Sequence, residues 1–298
     1  MVTCPVSVVI PTYNRAEFLH RAIDSVLRQS IDCDELIVVD DGSTDDTVAM
    51  VMEVKKRARI AISLIQQNNK GPAAARNSGI RVARNECIAF LDSDDHWLKA
   101  KLEKQYSKLS ANSDFVISHT RERWLRRGQH LNQKKKHIPR HGNIFDHCLQ
   151  LCAVGMSTVM VKKRLFEEVG YFDESFLCCE DYDLWLRASS IYPFLLIDEP
   201  LTIKEGGRDD QVSYVYRLGM DELRINSIKN LLDNWSLNEQ DYLLSLKELI
   251  AKAAIFGNGC VKHGKVEQGN RYLAMIPRYK KKAIEKYPLL REIIYGEG

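Results

Sequence analysis

At 298 residues, 45% apolar and 28% charged, the chain is long enough to bury a substantial core and has the balance of an ordinary soluble globular protein. Its 43 basic and 40 acidic residues leave a net charge of only +3, which argues against a dedicated nucleic-acid binder. The eight cysteines, at 4, 33, 87, 148, 152, 178, 179 and 260, include no C-x-x-C pair, so they read as reduced intracellular thiols rather than zinc ligands.

No basic segment followed by an apolar core and a cleavage site opens the chain, and no apolar run reaches the roughly 18 to 20 residues of a membrane span. The expected location is cytoplasmic, with peripheral contact to a membrane left open. Val6 to Ile10 reads as a buried strand, and Ala16 to Leu27 as a helix with Phe18, Ala22, Ile23 and Val26 on one face. Glu35 to Val39 is a second strand, after which Ser43 or Thr44 can cap a helix through Val48, Val51 and Met52. Ile60 to Ile65 is a third strand, Ala73 to Ala83 a helix and Cys87 to Leu91 a fourth strand. Such alternation predicts an α/β fold, an open, mostly parallel, Rossmann-like sheet with helices on both faces.

Leu98 to Leu109 reads as helix and Phe115 to Ser118 as a short strand. Residues 120 to 142 are polar and basic, including Lys134-Lys135-Lys136, and read as a long loop or an excursion from the sheet. Ser157 to Val161 returns to strand and Tyr182 to Ile191 to helix. From about Gly219 the spacing of Ile228, Leu231, Leu232 and Trp235, and of Leu243, Leu246, Ile250 and Ala253, is helical throughout. The expected division is an α/β domain over 1–215 and a C-terminal α-helical appendage over 216–298.

In an open parallel sheet, ligands bind beyond the carboxyl ends of the strands. The polar segments Pro11-Thr12-Tyr13-Asn14, Asp40-Asp41-Gly42-Ser43 and Asp92-Ser93-Asp94-Asp95 fall there. Neighbouring carboxylate clusters repel unless a cation or an N–H donor offsets them. Asp92-x-Asp94 reads either as a helix N-terminus or as oxygen ligands for Mg²⁺ or Mn²⁺ bound together with a diphosphate. Asp40-Asp41 reads as a capping turn or as the acceptor of a pyrimidine imino proton. Arg76, on a helix of small residues, could reach a phosphate or one of the carboxylates. No G-x-G-x-x-G or Walker sequence is present, which weakens dinucleotide and P-loop alternatives.

Four segments together, Ser7 to Asn14, Asp40 to Asp45, Asn69 to Asn77 and Phe90 to Asp95, resemble the bacterial inverting family-2 glycosyltransferases of GT-A fold. A fifth, Gly170-Tyr171-Phe172-Asp173-Glu174 followed by Glu180-Asp181-Tyr182-Asp183-Leu184-Trp185, is similar to the acceptor-side region of that family. The resemblance covers about residues 5 to 205. It implies a metal-dependent transferase using a nucleotide-diphosphate sugar, with UDP the expected carrier, in polysaccharide biosynthesis. Pro11, Thr12, Tyr13 and Asp41 would serve the nucleotide, with Asp41 accepting from the base. Asp92, beside Ser93, would face the ribose or a metal-bound water, Asp94 would ligate Mn²⁺ or Mg²⁺, and Asp181 would be the general base. Arg76 is a further expected donor contact, while Glu180 and Asp183 read equally well as helix-capping acids.

One segment departs from the pattern. Many bacterial members of the family it resembles carry a His after a Gly-Gly, shortly before a Gln and a Ser, where this chain reads Gly206-Gly207-Arg208-Asp209-Asp210-Gln211-Val212-Ser213. An arginine does not ligate a metal; Arg208 is expected either on the donor diphosphate or paired with Asp209 or Asp210. The implied acceptor is a glycan or a lipid-linked acceptor, with no nucleic acid among the partners and homo-oligomerisation left open. The rival readings are a non-catalytic nucleotide-sugar binder on the same fold, a nucleotidyltransferase, which Pro11 to Arg15 does not resemble, and a basic surface module built on Lys134–Lys136 and the Arg278 to Lys282 run.

Overall fold

Runs of β-branched and aliphatic residues set the scaffold. The computed structural model describes residues 3–295. Thr3–Thr12 (β1), Asp32–Asp40 (β2), Ala61–Gln66 (β3) and Cys87–Phe90 (β4) lie parallel in the order β3-β2-β1-β4. The strands are apolar on both faces because both are covered. Val6, Val8 and Ile10 pack with Leu19, Ala22, Ile23 and Val26 of α1 (Ala16–Leu27) and with Val51 of α2 (Thr47–Arg57). Val9, Ile37, Val39 and Phe90 face the opposite layer, where Ala73, Ala75 and Ile80 of α3 (Gly71–Val82) pack. A Cβ at Gly79 would stand 2.5 Å from a Val9 methyl, so glycine is what lets α3 lie directly on β1.

The second half extends the sheet through β5 (His96–Trp97), α4 (Lys101–Ser110), β6 (Ile117–Arg126), β7 (Gln129–Leu131), α5 (Phe145–Gln150), β8 (Met160–Lys162), α6 (Arg164–Val169), α7 (Glu180–Ser189) and β9 (Phe194–Gly206). The order continues β4-β8-β6-β9-β5, with β8 antiparallel to both its neighbours, β6 parallel to β9, and β7 hairpinned onto β6.

Several expectations are corrected here. Residues 120–142 are not simply a loop: β6 runs on to Arg126 and turns into β7, because Arg121 to Arg126 find a ladder on β9. That strand, thirteen residues long, is hidden in the sequence by Asp198-Glu199-Pro200, where the ladder shifts register. Met156–Thr158 is a 3₁₀ turn, and only Met160–Lys162 is strand. Ser43 and Thr44 do not cap α2, whose first turn begins at Thr47; Asp45 accepts the Thr47 N–H at 3.0 Å instead.

The C-terminal residues form α8 (Val212–Val215), α9 (Met220–Asn234), α10 (Glu239–Lys262), α11 (Val266–Lys286) and α12 (Leu290–Tyr295). Ile225, Ile228, Leu231, Leu246, Leu249 and Tyr272 join the apolar layer containing Tyr182, Trp185 and Phe194. The helical region therefore packs on α5 and α7 and continues the core of the sheet domain. Among the described residues no helix is long and apolar enough to cross a membrane, and all eight cysteines are free thiols.

Candidate active site

Register brings the strand ends level: Thr12 lies beside Asp40, and Asp40 beside Gln66. The turn after β1 is tied to the turn after β2, since the Asn14 N–H donates to Ser43 Oγ at 2.8 Å and Asn14 Oδ1 accepts from the Thr44 N–H at 2.8 Å. Gly42 has φ +83°, and a Cβ there would meet the Asn69 nitrogen at 3.0 Å, so the turn passes close under the Gln67–Lys70 loop. Between them lies an open polar cavity of about 500 Å³, lined by Asp40, Gly42, Ser43, Gln66, Gln67 and Asn68.

Asp40 lines this cavity. Asp41 is buried and holds the start of α3: Oδ1 accepts from Gln67 Nε2 at 2.7 Å and the Lys70 N–H at 3.0 Å, and Oδ2 from the Gly71 N–H at 2.7 Å. Pro11 is buried, Tyr13 is 46% exposed, and the buried Thr12 hydroxyl has no hydrogen-bond partner among the described residues. An unpartnered buried hydroxyl at a strand end is the kind of group a polar ligand satisfies.

Arg76 is the hub of the site. It is 5% exposed, donates to Asp92 Oδ1 at 2.8 Å through Nη2, reaches Glu180 Oε1 through Nη1, and lies over the Phe172 ring at 5.6 Å. Burial opposes its charge, but Asp92 and then Glu180 outweigh that, so its pKa is raised and it stays a guanidinium. Glu180 is pushed up by burial and held down by Arg76. The arginine expected to contact the donor is thus committed to two carboxylates, joining the end of β4 to the start of α7. Glu180, which the sequence reads equally as a cap, is its partner, and Asp183 pairs with Arg187 at 2.8 Å.

Asp181 follows Glu180 and is half-buried. Its Oδ1 accepts from the Tyr182 N–H at 2.7 Å and its Oδ2 from the Cys152 thiol at 3.0 Å. Burial, reinforced by Asp181, pushes the Cys152 thiol well above its ordinary range, so it remains an S–H donor. Nothing in the spacing of Cys152 marks this contact, which exists only because the 151–155 segment crosses the start of α7.

Asp94 meets Arg208: Arg208 Nη2 reaches Asp94 Oδ2, while its guanidinium lies over the Phe18 ring at 4.3 Å and its Nε stands 3.4 Å from Asp210 Oδ1. Of the two expectations for Arg208, the pairing with Asp210 is present, and Arg208 pairs in addition with the carboxylate expected to hold a metal. Gln211 braces this segment, accepting from the Gly207 N–H at 2.9 Å and donating to the Glu205 carbonyl at 2.9 Å. Asp210 also pairs with Arg15, which closes the 206–211 segment over the end of β1.

The neighbouring Asp95 is structural. Ser93 is buried, and Asp95, fully enclosed, accepts from Ser157 Oγ at 2.7 Å and the Glu205 N–H at 3.0 Å. Burial, then the nearby Asp94, raise the Asp95 pKa well above the carboxylate range. Among the described residues no three His, Cys, Asp or Glu side chains cluster as a complete metal cage. A divalent ion could instead be held by Asp94 together with phosphate oxygens, the usual arrangement for Mg²⁺ with nucleotides, and the oxygen donor set fits that.

Fold and site together define an α/β enzyme-type scaffold with a nucleotide-sized polar cleft at parallel strand ends and a buried charge network beside it. Residues 7–170 match the glycosyl transferase family 2 profile, and the chain belongs to that family, with the GT-A fold. It is 40% identical over 203 residues to an uncharacterized glycosyltransferase of Rickettsia felis, covering 66% of this chain and 32% of that one. The chain thus spans about a third of the length of this relative. It is 31% identical over 236 residues to the Escherichia coli UDP-Glc:alpha-D-GlcNAc-diphosphoundecaprenol beta-1,3-glucosyltransferase WfgD, covering 78% of this chain and 84% of that one. The S. aureus TarS 1-349 structure in complex with UDP-GlcNAc superimposes with TM-score 0.61 at 17% identity, covering 93% and 92% of the two chains, and supports the fold.

Proposed function

We propose that this protein is an inverting glycosyltransferase that moves a sugar from a UDP-sugar to a hydroxyl of a glycan or lipid-diphosphate-linked glycan acceptor. The observation that carries the reading is the Arg76 bridge, which holds the Asp92–Asp94 strand end against the helix start that presents Asp181. The likeness to WfgD supports a UDP-linked donor and a lipid-linked acceptor.

In this mechanism the nucleotide occupies the cavity lined by Asp40, Gly42, Ser43 and Gln67, with the unpartnered Thr12 Oγ1 and Tyr13 at the neighbouring end of β1. Asp92 and Ser93 lie on the sugar side of the nucleotide. Asp181 takes the proton of the attacking acceptor hydroxyl on the face opposite the departing UDP, so the anomeric configuration inverts. Asp94 would hold Mg²⁺ or Mn²⁺, which when bound supplies charge neutralisation for the diphosphate. Arg208 moves from Asp94 to the diphosphate oxygens, a guanidinium fork suited to them.

The experiment is to compare the parent with Asp181→Asn in UDP binding by calorimetry and in transfer from UDP-glucose to a synthetic GlcNAc-diphospho-polyprenol. UDP affinity should be retained and transfer should fall by about 10² to 10⁴. Transfer above a third of the parent rate would remove Asp181 as the base.

A further inference from the structure

Residues 121–141 carry eight Lys or Arg and one acidic residue, whereas the remainder of the chain holds 35 basic against 39 acidic residues. The excess positive charge of the whole protein is therefore concentrated on the arm formed by the outer part of β6, β7 and the Lys135–His137 3₁₀ turn. Arg121 pairs with Asp198 and Arg140 with Asp146, which fixes the two ends of the arm. Among the described residues Arg123, Arg126, Arg127, Lys134, Lys135 and Lys136 have no carboxylate partner, and all six are exposed. By contrast, Arg15, Arg76 and Arg208 in the site are each paired with a carboxylate.

The arm is ordered by its own contacts. Trp124 packs on His137 with ring centroids 5.0 Å apart, and the Lys136 carbonyl is bound by His147 Nε2 at 2.8 Å. Its root borders the site on two sides. The Glu122 carboxylate stands against Gly155, in the segment that carries Cys152 to Asp181, and is the chief influence raising the Lys204 pKa. Arg126 packs on Gly207, and Arg127 donates from its N–H to the Gly206 carbonyl at 3.2 Å and from Nε to the Gly207 carbonyl at 3.3 Å, beside Arg208.

We infer that this arm binds the acceptor through phosphate groups that the acceptor itself carries. Arginine forks and ammonium groups without carboxylate partners match phosphate oxygens in charge and geometry, and the arm's root lies between the Asp181 side and the Asp94 side of the cleft. The inference rests on the glycosyltransferase reading with a diphosphate-linked acceptor and adds to it the residues that hold the acceptor's phosphate groups.

The test uses the full chain with UDP present at saturation, so that the donor cavity cannot take up the probe. Binding of farnesyl diphosphate, of farnesol and of phosphatidylglycerol vesicles is measured for the parent and for the Lys134→Gln/Lys135→Gln/Lys136→Gln variant, whose altered positions are exposed and free of structural contacts through their charges. Farnesyl diphosphate should bind the parent more tightly than farnesol, weaken as salt is added, and bind the variant about tenfold less tightly, with UDP affinity unchanged. Equal affinities of parent and variant for farnesyl diphosphate, or no preference for it over farnesol, would overturn the assignment. Arm-dependent binding to the vesicles without binding of farnesyl diphosphate would also overturn it, giving the arm to an anionic membrane surface. Failure of UDP itself to bind would instead count against the donor reading, so the two failures are distinguishable.

Discussion

The Cys152 thiol donates to Asp181 Oδ2 at 3.0 Å, so the carboxylate proposed to take the acceptor proton is aimed from outside its own helix. Its other oxygen is occupied by the Tyr182 N–H, which leaves rotation of the carboxylate restricted on both sides.

Cys152→Ala should lower kcat for transfer by about tenfold with donor KM and UDP affinity unchanged, because one hydrogen bond to a charged group is lost. Cys152→Ser keeps a donor of similar size and should recover most of the rate. Steady-state kinetics of the three proteins decides the point; a serine variant as slow as the alanine variant would show that packing, not donation, matters at this position.

Removing the Arg76 side chain should leave Asp92 and Glu180 facing each other in a buried setting. Arg76→Ala is expected to cost about 3 to 5 kcal/mol in urea unfolding, the range for breaking one side of a buried ion pair. Arg76→Ala/Glu180→Gln should recover part of that loss, since it removes one stranded charge. A single-variant loss within about 0.5 kcal/mol, the scale of surface changes, would exclude the bridge as a stabilising element.

Arg208→Ala should weaken UDP binding about tenfold while leaving uridine binding unaltered, because the proposed contact is to the diphosphate. In the same calorimetric series, Mn²⁺ should strengthen UDP binding to the parent, and Asp94→Ala should abolish that gain. Equal losses for UDP and uridine would return Arg208 to the role of a loop residue holding Asp94 and Asp210. UDP affinity indifferent to both Mn²⁺ and chelator would remove Asp94 as a metal ligand.

His119, on β6 below the basic arm, is buried against Phe194, and its Nε2 is bonded to the Arg140 carbonyl at 2.9 Å. Burial lowers its pKa from 6.5 to about 4. The folded state therefore binds fewer protons than the unfolded state between those values, and stability present above pH 6.5 is lost as pH falls. Near pH 5 the loss from this residue should be about 2 kcal/mol. Urea unfolding at pH 7.5 and 5 should show that difference shrinking in His119→Asn; an unchanged pH dependence in the variant would clear His119 of it.

The sequence by itself determined the strand-and-helix alternation of the first hundred residues, because apolar runs buried on both faces cannot be confused with surface segments. It also determined which strand ends carry the polar turns, since Thr12, Asp40 and Asp92 each terminate such a run. The family followed from those turns in order. What the tertiary structure alone decided are the partnerships across elements. Arg76 lies 104 positions from Glu180, Cys152 lies 29 from Asp181 and Arg208 lies 114 from Asp94, so no local spacing encodes them. The long strand β9 and the outer part of β6 belong to the same class: each is polar or interrupted when read alone, and becomes strand only because the other supplies its hydrogen bonds. Local pattern fixes what an isolated segment prefers, whereas a charge network or a strand pair depends on where the fold carries a second segment.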